Sequence, residues 1–212
     1  MTPPSSAGFA PVDSSLRLQG SQYQIFRSHH GTRRRRRCVS ASTGTCRGDT
    51  GNDCLISVDG TDCPLARSYK KSLYSYKFKH SGFRYEIALC IKTCKIVWWN
   101  GPYLPGEMND NMIFEDGLRG MLGPDERAEA DAGYSGSAPY WTRVPDTEGP
   151  AHRAKAAKVR MRQETCNKRL KAFKIMSNRY RHDMARHQVY FGAILSILQL
   201  AFEDEPLFPV EY

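Results

Sequence analysis

No CxxC pair occurs among the seven cysteines, which are odd in number and scattered at positions 38, 46, 54, 63, 90, 94 and 166. That argues against both a disulfide framework and a zinc ribbon. Cys90 and Cys94 are close in sequence, but they have no paired His or Cys nearby. Reduced intracellular thiols are expected. Also missing is an apolar leader, because Thr2 to Ser6 is rich in Pro and Ser, so no signal peptide is expected. The most apolar stretch, Val189 to Phe202, has about 14 residues and is interrupted by Ser196 and Gln199. A bilayer needs about 20, so the expectation is a protein with no membrane partner that is not secreted. Acidic residues are scarce in one region, with two against twelve basic ones over 152–187. The last 25 residues reverse this, holding four acids and no Lys or Arg.

What is present suits one ordinary domain plus additional chain. The 212 residues are 40% hydrophobic and 25% charged, with a formal net charge of +9. A core can form, and full disorder is not expected. An acidic centre beside a basic helical stretch suits the handling of a polyanion.

Residues 1–52 are rich in Ser, Gly, Thr and Arg without sustained periodicity, and read as a disordered leader. Order is expected over 53–212. Asp53 to Asp59 reads as a buried strand ending in an Asp-Gly-Thr-Asp turn. Phe83 to Ile91 and Lys95 to Asn100 read as strands, rich in aromatic and β-branched residues. Asn109 is a good N-cap for a helix carrying Met112, Ile113, Phe114, Leu118, Met121 and Leu122. Arg127–Asp131 and Tyr140–Val144 read as further short strands. Helices are expected from about Ala154 to Arg181 and from about His187 to Phe202. This order suggests a mixed sheet covered by helices.

Three acids stand out. Asp59 and Asp131 each close a short apolar run before a Gly-containing turn, the edge where open α/β sheets place ligands. Glu164 is nearly alone among Arg160, Arg162, Lys168 and Lys171. Its spacing to Asn167 and Lys171 puts the three on one helical face. Carboxylates gathered in a fold repel each other unless a hard divalent cation joins them. Two such ions can activate an attacking oxygen and stabilise the leaving one in phosphodiester chemistry. Taken singly, on local pattern alone, each acid reads better as a turn or surface residue. Asp62 rivals Asp59 for the first position, and Asp110 reads as a helix-opening residue.

Several blocks of this sequence resemble DDE transposases. They are Val58-Asp-Gly-Thr-Asp-Cys63, Tyr76-Lys-Phe-Lys-His80, Arg84-Tyr-Glu-Ile87 and Ile96-Val-Trp-Trp-Asn-Gly101. Further along come Glu129-Ala-Asp-Ala-Gly-Tyr134, Arg162-Gln-Glu-Thr-Cys-Asn-Lys-Arg-Leu-Lys171, Arg179-Tyr-Arg-His182 and Pro206-Leu-Phe-Pro-Val-Glu-Tyr212. The order over about 52–212 is similar to eukaryotic DDE superfamily endonucleases of the Harbinger type. The resemblance implies a ribonuclease-H-like α/β fold, a mixed five-stranded sheet flanked by helices. It also implies cleavage and joining of DNA with Mg²⁺ or Mn²⁺, two ions being expected. The family's acids fall on Asp59, Asp131 and Glu164, as catalytic residues and metal ligands. Asp59 and Asp131 should then lie on adjacent parallel strands, the first and fourth.

Lys77, Arg160, Lys168 and Lys171 are the expected DNA contacts. The run Arg33–Arg37 reads as a nuclear localisation patch or as chance composition, and the expected location is the nucleus or otherwise the cytoplasm. Family members carry a helix-turn-helix region before the catalytic core, and residues 1–52 show no such pattern. A truncated element is therefore expected, retaining the triad, with a homodimer or a separate DNA-binding protein as candidate partners. The rival reading is a non-catalytic, transposase-derived binding protein.

Overall fold

The computed structural model describes residues 54–66, 70–123, 126–145 and 149–210. The expected leader, with its arginine run, lies outside these residues. Six strands form one mixed sheet: β1 (Ile56–Pro64), β2 (Tyr74–Ser75), β3 (His80–Cys90), β4 (Ile96–Tyr103), β5 (Ala128–Glu129) and β6 (Thr142–Arg143). The order is β2-β3-β1-β5-β6, with β4 also pairing β3. The sheet is therefore an α/β sheet as expected, with six strands in place of five. The additional strand is the two-residue β2, too short to leave a periodic signal.

β1 and β3 pair antiparallel along the whole of β1, from Ile56 opposite Cys90 to Pro64 opposite Gly82. This ladder overrides the local turn signal in Asp59-Gly-Thr-Asp62, and the strand runs straight through it. Asp59 therefore sits mid-strand, not at a strand end. β5 pairs β1 in parallel through Ile56–Ala128 and Ser57–Glu129. The strand expected over 127–131 is reduced to two residues, because Asp131 already opens a 3-10 turn over Ala132–Ser137.

Alternation along β1 and β3 divides the core. Phe83, Tyr85, Ile87 and Leu89 face one side, where they pack with Cys166, Leu170, Phe191 and Leu195. Ile56, Val58 and Ala88 face the other, with Trp98, Phe114 and Leu118. Helices α2 (Pro150–Ala172) and α4 (His187–Asp204) cover the first face, and α1 (Asp110–Asp116) covers the second. Both faces are thus dry, which is why β3 is buried from Ser81 to Cys90. Trp99 and Trp98 go to opposite cores. Trp99 meets Phe191 at 5.4 Å between ring centroids, and Tyr85 stacks on Phe191 at 3.7 Å.

α1 is shorter than its apolar spacing suggests. Gly117 leaves helical backbone, its N–H bonds the carbonyls of Ile113 and Phe114, and a 3-10 turn over Leu118–Met121 follows. Asn109 is the N-cap, its side chain accepting from Met112 N at 2.9 Å. Replacing it by Ala should cost about 1 kcal/mol of stability in urea unfolding, the usual worth of such a cap. A loss near zero would mean that Asp110 takes over the role.

α2 begins at Pro150 and stops at Ala172, where Phe173 turns extended and the short α3 (Lys174–Ser177) follows. The helix expected to reach Arg181 is cut by long-range bonds. Tyr180 N donates to Pro64 O at 3.0 Å, and Ala66 N to Tyr180 O at 2.7 Å. These require residues near 180 to lie extended beside the end of β1. His187 opens α4 fully buried, with Nδ1 2.7 Å from the Tyr85 hydroxyl, and burial drives its pKa down to about 4. Burial and the Tyr85 bond make it a structural group held neutral. Cys54, Cys63, Cys90, Cys94 and Cys166 are buried free thiols. No helix among the described residues is long and apolar enough to cross a membrane.

Candidate active site

The odd-numbered face of β1 points at α2, and α2 meets it at every fourth residue. Ser57 Oγ donates to Gln163 Oε1 at 2.8 Å, Asn167 Nδ2 donates to Asp59 Oδ2 at 2.7 Å, and Lys171 Nζ donates to the Asp62 carbonyl. Gln163 is also anchored to Ile87 O at 3.1 Å. Spacing of four keeps these residues on one helical row. Asp59 is therefore held from α2, and Glu164 and Lys168 stand on the adjacent row.

Asp131 arrives from β5. Carrying the β1–β5 register two residues beyond Ser57–Glu129 puts Asp131 level with Asp59. Its Oδ1 accepts from Gly133 N at 2.8 Å, the N-cap bond of the 3-10 turn. In the chain as observed β5 is the fifth strand, not the fourth, and it lies next to β1 as the reading requires.

Asp59, Asp131 and Glu164 line one open cleft of about 340 Å³, together with Lys77, Lys168 and Lys171. Arg160 does not line it. Arg160 instead lies 3.6 Å from the fully buried Glu129, which His152 also approaches at 3.2 Å. Among the described residues, no three His, Cys, Asp or Glu side chains are gathered closely enough to enclose an ion as they stand. The cleft assembles the three acids along its walls without drawing them to one point.

The even face of β1 sends Asp62 away from the cleft that Asp59 lines. Asp62 lies opposite Arg84 in the ladder and is gripped by it, Nε to Oδ1 at 2.7 Å and Nη2 to Oδ2 at 3.1 Å. Both side chains are nearly inaccessible, 1% for Asp62 and 9% for Arg84. Asp62 points away from α2 with its charge already neutralised. Arg84 also reaches Asp110 at 3.2 Å.

Asp110 opens α1 as expected, but its side chain does more than start the helix. With Asn109 serving as the cap, Asp110 is free to enter the site from α1. Its carboxylate sits where a side chain on Gly60 would be, an added Cβ meeting Asp110 Oδ1 at 2.5 Å. An added Cβ on Gly133 would meet Asp110 Oδ2 at 3.2 Å. The two glycines leave room for this carboxylate between the chain beside Asp59 and the turn after Asp131. The available signal was the adjacent pair Asn109-Asp110, because one helix start needs only one cap.

The electrostatics follow from this crowding. Burial pushes the Asp59 carboxyl up to about 7, Asp131 and Asp110 push the same way, and Lys77 opposes them. Asp110 is likewise raised by burial, against the pull of Arg84. Glu86, opposite Gly60 on β3, is fully buried and raised to about 8 chiefly by burial, although Trp98 Nε1 donates to it at 3.3 Å. Asn167 Oδ1, beside Asp59, is buried and has no hydrogen-bond partner. An under-compensated group of carboxylates with an orphaned amide oxygen is an all-oxygen donor set. Its chemistry is the kind a hard divalent cation takes, although its carboxylates are not gathered round one point.

No curated protein and no solved structure matches the chain. A family model described as DDE superfamily endonuclease matches residues 58–198, a span that begins one residue before Asp59 and takes in Asp131 and Glu164. With two thirds of its length under that model, the chain belongs to the DDE superfamily endonucleases.

Proposed function

We propose that the chain is a divalent-metal-dependent DNA nuclease and transposase core of the Harbinger type. Asp59, Asp131 and Glu164 would hold Mg²⁺ or Mn²⁺, and the ions would supply an activated oxygen nucleophile and charge stabilisation at the phosphate. The observation that carries the reading is the placing of Asp59, a carboxylate whose charge is disfavoured by burial and by Asp131, on the wall of a cleft it shares with the other two acids.

The chain's own groups divide the remaining work. Asn167 fixes the orientation of Asp59 through its 2.7 Å bond. Arg84 holds Asp62 and Asp110, keeping Asp62 out of the cleft. Lys77 and Lys168 present ammonium groups to backbone phosphates, and Lys171, tied to the Asp62 carbonyl, stiffens the floor between them. DNA is the substrate in this reading, the nucleus its place of action, and a second copy or a separate DNA-binding protein the source of end recognition.

The test is plasmid nicking with Mg²⁺ and with Mn²⁺, wild type against Glu164→Gln. Wild type should nick only with metal, and the variant should lose orders of magnitude in rate. Metal-independent nicking, or equal rates in both proteins, would remove Glu164 from the site. DNA binding with no nicking under any condition would favour the rival, a transposase-derived binding protein.

A further inference from the structure

Between β2 and β3 a four-residue tip, Tyr76-Lys-Phe-Lys79, is exposed throughout. It is held rigidly at its base. Ser75 is fully buried, Lys79 N donates to Ser75 O at 2.8 Å, and Phe78 N donates to Ser75 Oγ at 3.3 Å. Lys79 takes φ +58°, which closes the turn. A tight, well-anchored hairpin has no structural need for large rings at its tip, yet Tyr76 is 67% and Phe78 46% exposed.

The rings are arranged with cations. Tyr76 packs edge-on against Tyr74 at 5.3 Å, which props its ring outward. Phe78 has His80 stacked at 6.0 Å and the Lys77 ammonium 5.6 Å from its centroid. Phe78 and Lys77 also line the cleft that holds the three acids, with Lys168 on its α2 side. Isolated exposed apolar residues are ordinary. Two aromatic rings alternating with two lysines on one rigid tip, at the mouth of the cleft that holds the three acids, form a more specific pattern.

Each part of that pattern matches a chemical part of a nucleotide strand. Ammonium groups suit the phosphates, while an open ring suits the flat face of a base that is not stacked in a duplex. Within a duplex the base faces are covered, so rings of this kind gain little from paired DNA. We infer that the 76–79 hairpin binds an unpaired nucleotide beside the cleft, its base stacking on Phe78 and Tyr76 and its phosphates meeting Lys77. This rests on the reading of the cleft as a DNA site and specifies the substrate as DNA with an unpaired or easily unstacked base at the cleavage point.

The test is fluorescence anisotropy on the full chain in EDTA, where no cleavage occurs. Three probes are compared at one salt concentration: a duplex, the same duplex with one unpaired nucleotide, and a single strand. Wild type should bind the two unpaired probes more tightly than the duplex. Phe78→Ala should weaken them about tenfold, within the range of stacking a base on an aromatic ring, and should leave the duplex within about twofold. Tyr76→Ala should act in the same direction, and Phe78→Trp should retain binding. Equal affinity of wild type for all three probes, or a uniform loss across them in the alanine variants, would overturn the inference. Because the assay contains no metal, loss of the catalytic reading through unchanged nicking in Glu164→Gln would leave this result standing. Failure here would leave the nicking result standing in turn.

Discussion

Asp59→Asn should abolish metal-dependent nicking and yet stabilise the metal-free protein at pH 8. The two effects come from one cause. In the native chain the Asp59 carboxyl titrates near 7 instead of the ordinary 3.8, through burial and the charges of Asp131 and Asp110. Below about pH 4 both folded and unfolded forms are protonated and no penalty exists. Between about 4 and 7 the unfolded chain releases a proton that the native chain keeps, so stability falls as pH rises. Above 7 the full penalty is present, on the order of a few kcal/mol. Asn carries no charge, keeps nearly the same shape, and can still accept from Asn167 Nδ2. Its urea-unfolding curve should therefore sit above that of wild type at pH 8 and converge with it near pH 4.

A divalent ion should reverse the sign for wild type. Held by the native carboxylates, it would stabilise by mass action, by about 2.7 kcal/mol at a hundredfold excess over its dissociation constant. Mn²⁺ should raise the wild-type melting temperature strongly at pH 8 and weakly at pH 5.5, where the ion must displace a proton from Asp59. The Asn variant should show little rise at either pH. If Asp59→Asn instead unfolds at every pH with or without Mn²⁺, Asp59 is a packing residue and the catalytic assignment loses its first member.

Arg84→Met should be the most destabilising single change in the site. Arg84 grips the carboxylate of the buried Asp62 through two bonds, and it also pairs with Asp110. Met nearly matches its length but leaves two carboxylates uncompensated, one of them 1% exposed. Breaking a buried pair in this way costs about 3–5 kcal/mol. Adding Asp62→Asn should recover a large part of the loss, since it removes the stranded charge. Urea unfolding of wild type, both single variants and the double variant measures the coupling. Additive losses with no recovery would show that Arg84 acts through packing alone.

The comparison of these two aspartates shows how the information is divided. From sequence, Asp59 and Asp62 were near-equivalent, three residues apart in one polar tetrapeptide read as a turn. The tetrapeptide is strand because β3 supplies nine consecutive pairing partners, and a strand sends Asp59 and Asp62 to opposite faces. One then meets α2 and the cleft, and the other meets Arg84. No local pattern contains that choice, because it depends on which residue stands opposite 22 positions away.

What the sequence determined by itself was everything carried by short-range chemistry: the aromatic and β-branched runs of β3 and β4, the Asn109 cap, the mostly apolar α4, and the ordered blocks that mark the DDE family. Periodicity, caps and composition act within a turn or two of chain, so they are legible without a partner. The tertiary structure decided the rest. It ended α2 at Ala172 by bonding Tyr180 to the end of β1, spent Arg160 on the buried Glu129, and carried Asp110 from a helix start into the gap left by Gly60 and Gly133. Each of these is set by burial or by a partner distant in sequence, a backbone group in the first case and a charge in the others. A buried group must find its partner wherever the fold supplies one, and only the folded chain specifies where that is.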